Sequence, residues 1–370
     1  MRQMIITGLI ATAVALPRAN TLTTQYGSGD LATTVIVELT TDQGITGIGQ
    51  TAVAPRSYGE TVEGLLTNIR HHLAPVLVGR AAHNLEVMHR DMMRALPHHW
   101  SSHAGVELAL WDLRGKALGV PVYELLGGKV RDGLSLMGFV HHDTPERMAA
   151  EARRAVEEHG YPVLKMKVGM DPREDVARFR AVSEALEGRA TLQIDGNTGW
   201  SLWEAIWALR EMVAIGGLGA VEQPVASRRE MSILARTFAT PIMADEAIYA
   251  AQDAIDVVRE GAASVALMKI TKHGGVAQVR DIATVFGAAN LSLSVAIYFD
   301  LIAAVAAHLA VALPCVTWPS PFTYLKDTIL EEPPTPEGLW LFPSEAAGWG
   351  VTLDADKVAH YAVGRASYEG

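Results

Sequence analysis

From about residue 130 onward, short apolar runs alternate with longer amphipathic stretches. The runs read "LSLMGFV", "PVLKMKV", "TLQID", "GLGAVEQP", "PIMADE", "SVALMKI", "LSLSVAI" and "PCVTWP". Between them lie segments such as "PREDVARFRAVSEALEG" and "SLWEAIWALREMVAI", whose apolar positions recur at helical spacing. Strand–helix alternation at a step of roughly 25 residues predicts parallel βα units, and eight such units predict a closed (β/α)8 barrel. An open doubly wound sheet would carry a glycine-rich dinucleotide fingerprint after a strand, and none is found.

The first 60 or so residues have another texture. They are rich in Thr, Val and Ile, broken by turn residues, which predicts a small antiparallel sheet. From about Ser57 to Leu118 the pattern is helical. "ETVEGLLTNIRHHLAPVLVG" is expected to end at Pro75, and "HAGVELALWDLRGKALG" to stop at Gly119-Val120-Pro121. "MIITGLIATAVAL" resembles a signal-peptide core, but only Arg2 precedes it and its β-branched content favours a first sheet strand. "LSLSVAIYFDLIAAVAAHLAVAL" approaches membrane-spanning length, but Asp300 and His308 interrupt it; a buried strand followed by a buried helix is the favoured reading.

Composition narrows the class. The chain has 370 residues, 49% hydrophobic and 19% charged, enough for a sizeable core. Net charge is −10, and no basic stretch is interleaved with aromatics, so neither nucleic acid nor membrane is an expected partner. The single cysteine, Cys315, excludes an internal disulfide framework and fits a cytoplasmic location.

Charged residues stand at the C-terminal ends of consecutive runs. Lys165 and Lys167 share one strand face in "KMK", since residues i and i+2 point the same way. Asp195 follows in "QIDGN", Glu222 in "VEQP", Asp245 in "MADEA" and Lys269 in "KITKHGG". Successive steps from Lys167 are 28, 27, 23 and 24 residues. In a barrel these ends meet at one rim, so lysines, three carboxylates and a further lysine should surround one mouth. Singly, such an acid is usually a helix cap or surface group and such a lysine snorkels to water. Five consecutive strand ends in this order are hard to produce by accident.

Three converging carboxylates repel unless a cation sits among them, and hard oxygen ligands favour Mg2+. No His or Cys cluster has zinc spacing. The two lysine stations flank the acids in strand order and should face each other across the mouth. A lysine near a cation and another ammonium is expected to have a lowered pKa, which suits a general base. A metal-bound carboxylate losing its α-proton would become an enediolate stabilised by metal and lysines.

With these motifs the chain resembles the enolase superfamily, and within it the muconate lactonizing enzyme subgroup. The match also takes in "QGITGIG", "ELALWDLRGKALGVPVYELLGG" and "KDTILEEPP…GWGVTLD", nearly the whole chain. The resemblance implies an α+β capping domain over residues 1–125, completed by about 350–370, on a modified (β/α)8 TIM barrel of (β/α)7β type over 126–349. It implies that Asp195, Glu222 and Asp245 bind Mg2+, with Mn2+ as a substitute. Lys167 and Lys269 would be acid/bases on opposite faces of the substrate, and Lys165 would support the enolate or tune Lys167. Asn197 and Glu246 would orient the groups around them. Loops near 23–30 and 54–58 would close over the site, bringing Tyr58 toward the substrate. A homo-oligomer acting on a small carboxylate is expected.

Two positions depart from the subgroup. Tyr298 stands where muconate-type members often carry an acid at the end of the seventh strand, and "CVTWPSPF" lacks the acids of dipeptide epimerases, which speaks against a dipeptide substrate. Trp318 is a candidate apolar or cation–π wall, or else a core residue. In "VHHD", His141 is a candidate substrate contact; "PHHWSSH" fits no zinc pattern and reads as a loop of solvated or stacked histidines. The expected activity is a racemase, epimerase or muconate-type cycloisomerase. A β-eliminating dehydratase or synthase would use the same site. A Schiff-base lysine aldolase and a non-catalytic binding protein are the readings from other classes.

Overall fold

The computed structural model describes residues 4–24 and 27–370. An antiparallel sheet is built from β1 (Ile6–Thr24), β2 (Gly27–Thr41) and β3 (Thr46–Ala52), with the C-terminal strand β13 (Ala362–Glu369) paired to β1. Its helices are α1 (Pro55–Tyr58), α2 (Val62–Asn68), α3 (Leu85–Ala95), α4 (Trp100–Leu118) and α5 (Val122–Leu125). The apolar N-terminal run is thus a sheet strand. Its alternate residues Leu9, Ala11 and Ala13 are buried beneath the helices, as the β-branched reading expected. The "ETVEGLL" helix differs from expectation: α2 ends at Asn68 and gives way to a π turn (Ile69–Leu73) and a 3-10 turn before the chain leaves. Within the segment 23–30, Thr23 and Thr24 pair with Ser28 and Gly27 at the ends of β1 and β2; Gln25 and Tyr26 lie outside the described residues.

The second sheet is the barrel. Its strands are β4 (Leu134–Val140), β5 (Val163–Lys167), β6 (Thr191–Asp195), β7 (Leu218–Glu222), β8 (Ile242–Ala244), β9 (Val265–Met268), β10 (Ser292–Val295) and β11 (Ser320–Pro321), all parallel; β12 (Trp340–Leu341) adds to β4 antiparallel. Helices follow the first seven: α6 (Pro145–His159), α7 (Pro172–Leu186), α8 (Leu202–Ile215), α9 (Arg228–Thr237), α10 (Ala251–Glu260), α11 (Val276–Ala288) and α12 (Asp300–Ala312). A last short helix, α13 (Ala355–Tyr361), precedes β13. Local signals place the helix starts. Asp171 accepts from Arg173 and Glu174 N–H to begin α7, and Ser201 with Glu204 forms a reciprocal cap on α8.

The eighth run departs from the reading. "PCVTWP" is not itself a strand: only Val316 bridges β10, while Thr317 and Trp318 N–H both donate to Leu293 O, and the paired strand comes later, at β11. Pro314, Pro319 and Pro321 have no N–H to donate, so the ladder cannot run continuously.

The two sheets meet through α4. Gly47 and Gly49 of β3 lie against it, where a Cβ would collide with the carbonyls of Ala109 and Gly105. That close approach accounts for Gly47 and Gly49 of "QGITGIG", while Gly44 takes a left-handed turn (φ 74°). Almost every residue of α4 is buried, including Glu107 and Asp112. Glu107 accepts from the N–H groups of Val276 (2.7 Å) and Ala277 (3.0 Å) at the start of α11, and Asp112 from Ile48 and Trp349 N–H, both 2.8 Å. No helix of the described residues is long and apolar enough to cross a membrane, and α12 is buried along its whole length.

Candidate active site

Strand register brings the charged ends together. Lys167 stands opposite Asp195 across β5–β6, and Asp195 opposite Glu222 across β6–β7. Asp245 follows β8 directly and Lys269 follows β9. The row runs from the lysines of β5 through three carboxylates to Lys269, so the two lysine stations bound it from opposite ends.

These groups are buried, except the half-buried Lys269, and each pairs with a neighbour of opposite charge. Lys165 Nζ lies 2.6 Å from Glu222 Oε2 and 2.9 Å from Asp195 Oδ2, and Lys167 Nζ lies 2.5 Å from Asp195 Oδ2. Lys269 pairs with Asp245 Oδ2. Asn197 takes a bond from Lys167 Nζ on Oδ1 (2.7 Å), donates from Nδ2 to Glu246 Oε1 (3.1 Å), and its backbone N–H holds Asp195 Oδ1 (3.0 Å). All eight groups named for the mouth thus form one cluster.

Electrostatics follow from crowding. Burial, with Asp195 and Asp245 nearby, pushes the Glu222 carboxyl up to about 8 against the pull of Lys165. Burial would also raise Asp195, but Lys165 and Lys167 outweigh it and hold this acid well below the usual carboxylate range. For Lys165 and Lys269 the expected lowering is not found. Burial lowers them, but Asp195 and Glu222 for the first, and Asp245 for the second, overcome it and raise both above the ordinary lysine value. The expectation assumed a cation on the carboxylates to offset their pull on the lysines.

Two participants escaped the sequence reading. Lys272, also in "KITKHGG", is fully buried and bonds both the backbone carbonyl and Oδ1 (2.8 Å) of Asp245, so that Oδ2 is the oxygen left toward Lys269. Gln193, two residues before Asp195 and on the same face, donates to Glu222 Oε2 (2.7 Å) and accepts from Trp318 Nε1 (2.8 Å). The i, i+2 rule that paired the lysines would have found Gln193, had it been applied to "QID".

The substrate-contact candidates separate. Tyr58 and Tyr298 join by their hydroxyls at 2.5 Å, in electrostatic reach of Lys269, and Tyr249 Oη anchors the α1 segment at Ser57 O (3.1 Å). Among the described residues Trp318 makes no cation–π contact; it is half-buried against Met243, Val265, Leu267 and Ala296 and bonds Gln193. His141 bonds Glu151 through Nδ1 (2.6 Å), away from the carboxylate row. "PHHWSSH" is only half a loop: His98 sits edge-on to Trp100, while Ser101–His103 lie buried in the first turn of α4.

Among the described residues, no three acidic, histidine or cysteine side chains are already drawn closely enough together to enclose an ion. The carboxylates are turned instead toward ammonium groups. Yet the donor set suits a hard divalent cation. Glu222 Oε1 is buried without a hydrogen-bond partner, midway along a row of three carboxylates. An orphaned carboxylate oxygen there calls for a proton or a cation.

Comparison with known proteins identifies the family. Residues 6–127 match the mandelate racemase/muconate lactonizing enzyme N-terminal domain, and residues 147–357 match the enolase C-terminal domain-like family. The chain is 32% identical over 340 residues to muconate cycloisomerase 1 of Pseudomonas putida, covering 89% of this chain and 90% of that protein. It is 33% identical to the L-Ala-D/L-Glu epimerase of Bacillus subtilis over 75% of each. The structure of N-succinyl Arg/Lys racemase from Bacillus cereus superposes with a TM-score of 0.94 at 26% identity, covering 99% of this chain and all of that one. The chain therefore belongs to the mandelate racemase/muconate lactonizing enzyme family and is an isomerase of the enolase superfamily.

Proposed function

We propose that this isomerase moves a proton at the carbon α to a carboxylate, using Lys167 and Lys269 from opposite faces of the substrate and a divalent cation, Mg2+, held by Asp195, Glu222 and Asp245. The observation that carries the reading is the bounded row: two lysine stations enclosing three carboxylates at consecutive strand ends, the middle one with an orphaned oxygen. Charge supports it. Four ammonium groups (Lys165, Lys167, Lys269, Lys272) face four carboxylates (Asp195, Glu222, Asp245, Glu246), so the ionised cluster alone is neutral. When bound, the cation brings that balance to +2, polarises the substrate carboxylate and loosens the carboxylates' hold on the lysines.

The residues divide the work. Asn197 fixes the Lys167 ammonium, and Lys272 fixes Asp245, so each lysine addresses the substrate from a set position. Lys167 removes or returns a proton on one face, Lys269 on the other. Lys165, between Asp195 and Glu222, meets the negative charge that grows as the proton leaves. The Tyr58–Tyr298 pair stands in electrostatic reach of Lys269 and borders its side of the site. With both lysines acting the outcome is racemisation or epimerisation; with one, cycloisomerisation. β-Elimination stays open on the same groups. A Schiff-base route is disfavoured because it needs a neutral lysine amine, and each lysine here is held by a carboxylate.

The test is a library of small carboxylates incubated with the protein and Mg2+ in D2O. Deuterium uptake at the α-carbon that stops on chelation is the expected result. An adduct on Lys167 trapped by borohydride would replace this reading with the aldolase one.

A further inference from the structure

The two oxygens of Glu222, the middle acid of the row, are held unequally. Oε2 takes two donors, Lys165 Nζ at 2.6 Å and Gln193 Nε2 at 2.7 Å. Among the described residues Oε1 takes none, although it is buried. The carboxylate is thus pinned by one oxygen, and the other is left for a proton or a cation.

The pin is itself held from the far end of the barrel sequence. Gln193 is buried on β6, on the face it shares with Asp195. Its Oε1 accepts from Trp318 Nε1 at 2.8 Å, and its Nε2 also approaches Met243 Sδ, at 3.6 Å. These contacts admit one orientation of the amide. Turned over, its oxygen would stand against the Glu222 carboxylate and its NH2 against the indole N–H, acceptor on acceptor and donor on donor. Trp318 comes to Gln193 from the irregular eighth run. There, Thr317 and Trp318 N–H both turn to Leu293 O, and Ser294 Oγ donates to Pro319 O at 2.9 Å. The indole rests on Met243, Val265, Leu267 and Ala296, so its N–H is aimed by packing as well as by its bond. The interrupted strand therefore reaches Glu222 through one amide.

We propose that Gln193 and Trp318 are positioning residues for the cation: Trp318 sets the Gln193 amide, Gln193 with Lys165 fixes Glu222 Oε2, and Oε1 is thereby presented to the metal. The inference deepens the proposed function and rests on its assignment of Asp195, Glu222 and Asp245 to the cation. Both residues act through Glu222 and take no part in the proton transfer. Their contribution is to hold the ligand in place before the cation arrives.

Mn2+, titrated by its paramagnetic resonance signal, reads the site without substrate or turnover. Gln193→Met keeps a side chain of similar length and removes both bonds; Trp318→Phe keeps a ring and removes the donor. Gln193→Met is expected to weaken Mn2+ binding by about tenfold to a hundredfold, the usual cost of losing a partner that orients a metal ligand. Trp318→Phe should weaken it less, in the same direction. Because the two act in series, the double variant should bind no more weakly than Gln193→Met alone. Urea unfolding in EDTA on the same proteins reads any purely structural cost. If Gln193→Met does not fold, Trp318→Phe decides. Parent-like Mn2+ affinity in the folded variants, whatever their stability, makes the pair merely structural and overturns the proposal. Losses that add in the double variant overturn the series arrangement. A parent chain that binds no Mn2+, or binds it no better than Glu222→Gln does, overturns the metal assignment itself, and this proposal with it.

Discussion

At the scale of single residues, spacing made the central cluster legible. Lys165 and Lys167 differ by two positions, and the acids recur at one βα step, so the sequence alone placed them on one face and one rim. What spacing could not show is which neighbours lock them. Lys272 sits three residues past Lys269 in a turn, where no periodicity applies, and only the fold carries its ammonium to Asp245. Asp300 is a similar case. It interrupts an apolar stretch, and its φ of 51° lies in the left-handed region at the start of α12. Burial pushes its carboxyl up to about 6, against bonds from Thr328, Ile329 and Gln50. The folded pKa lies above the unfolded one, so the stability this acid contributes is fully present below about pH 4 and is lost as pH rises through about 6. Asp300→Asn, which tolerates the same backbone conformation, should therefore raise urea-unfolding stability at pH 8 by about 1–3 kcal/mol and flatten its pH dependence between pH 4 and 7. An unchanged pH profile would remove Asp300 as the source.

At the scale of elements, the strands with pure apolar runs were read to within a residue or two, and "TLQID" coincides with β6. The eighth run was misplaced because its prolines break the ladder, a tertiary consequence that apolar content does not reveal. The helical reading of "HAGVELALWDLRGKALG" was right at its C-terminal end, though α4 begins earlier, at Trp100, and the reason for its buried acids appears only in three dimensions. Glu107 closes the N-terminus of α11 from another helix and also accepts from Trp111 Nε1 at 2.9 Å. Glu107→Ala leaves three buried donors unpaired, and is expected to cost about 3 kcal/mol in denaturant unfolding. Glu107→Gln, which retains an acceptor oxygen, should recover part of that loss. Equal stability of the alanine variant and the parent chain would contradict the capping role.

At the scale of the whole molecule, alternation and length gave the barrel, and the resemblance gave the cap; the C-terminal return of β13 onto β1 had no local signal. The long-range consequence is a mouth crowded with acids and ammonium groups inside an acidic protein. Mg2+ should therefore stabilise the fold by mass action, by about 2.7 kcal/mol at a hundred times its dissociation constant. Glu222→Gln should abolish that increment in thermal unfolding. The Glu222 carboxyl is raised to about 8, so the stability it supplies in acid is lost as pH rises through that value. In Mg2+-free buffer at pH 9, Glu222→Gln is expected to be at least as stable as the parent chain. A variant that still gained stability from Mg2+ would move the cation elsewhere.

The opposed lysines are tested most directly by α-proton exchange in D2O, with Mg2+ and substrates supplied as single enantiomers. The parent chain should exchange both enantiomers. Lys167→Ala and Lys269→Ala should each lose one enantiomer by at least a hundredfold while retaining the other, and in opposite senses. Undiminished exchange of both enantiomers by Lys269→Ala, or loss of the same enantiomer in both variants, would contradict the two-faced arrangement.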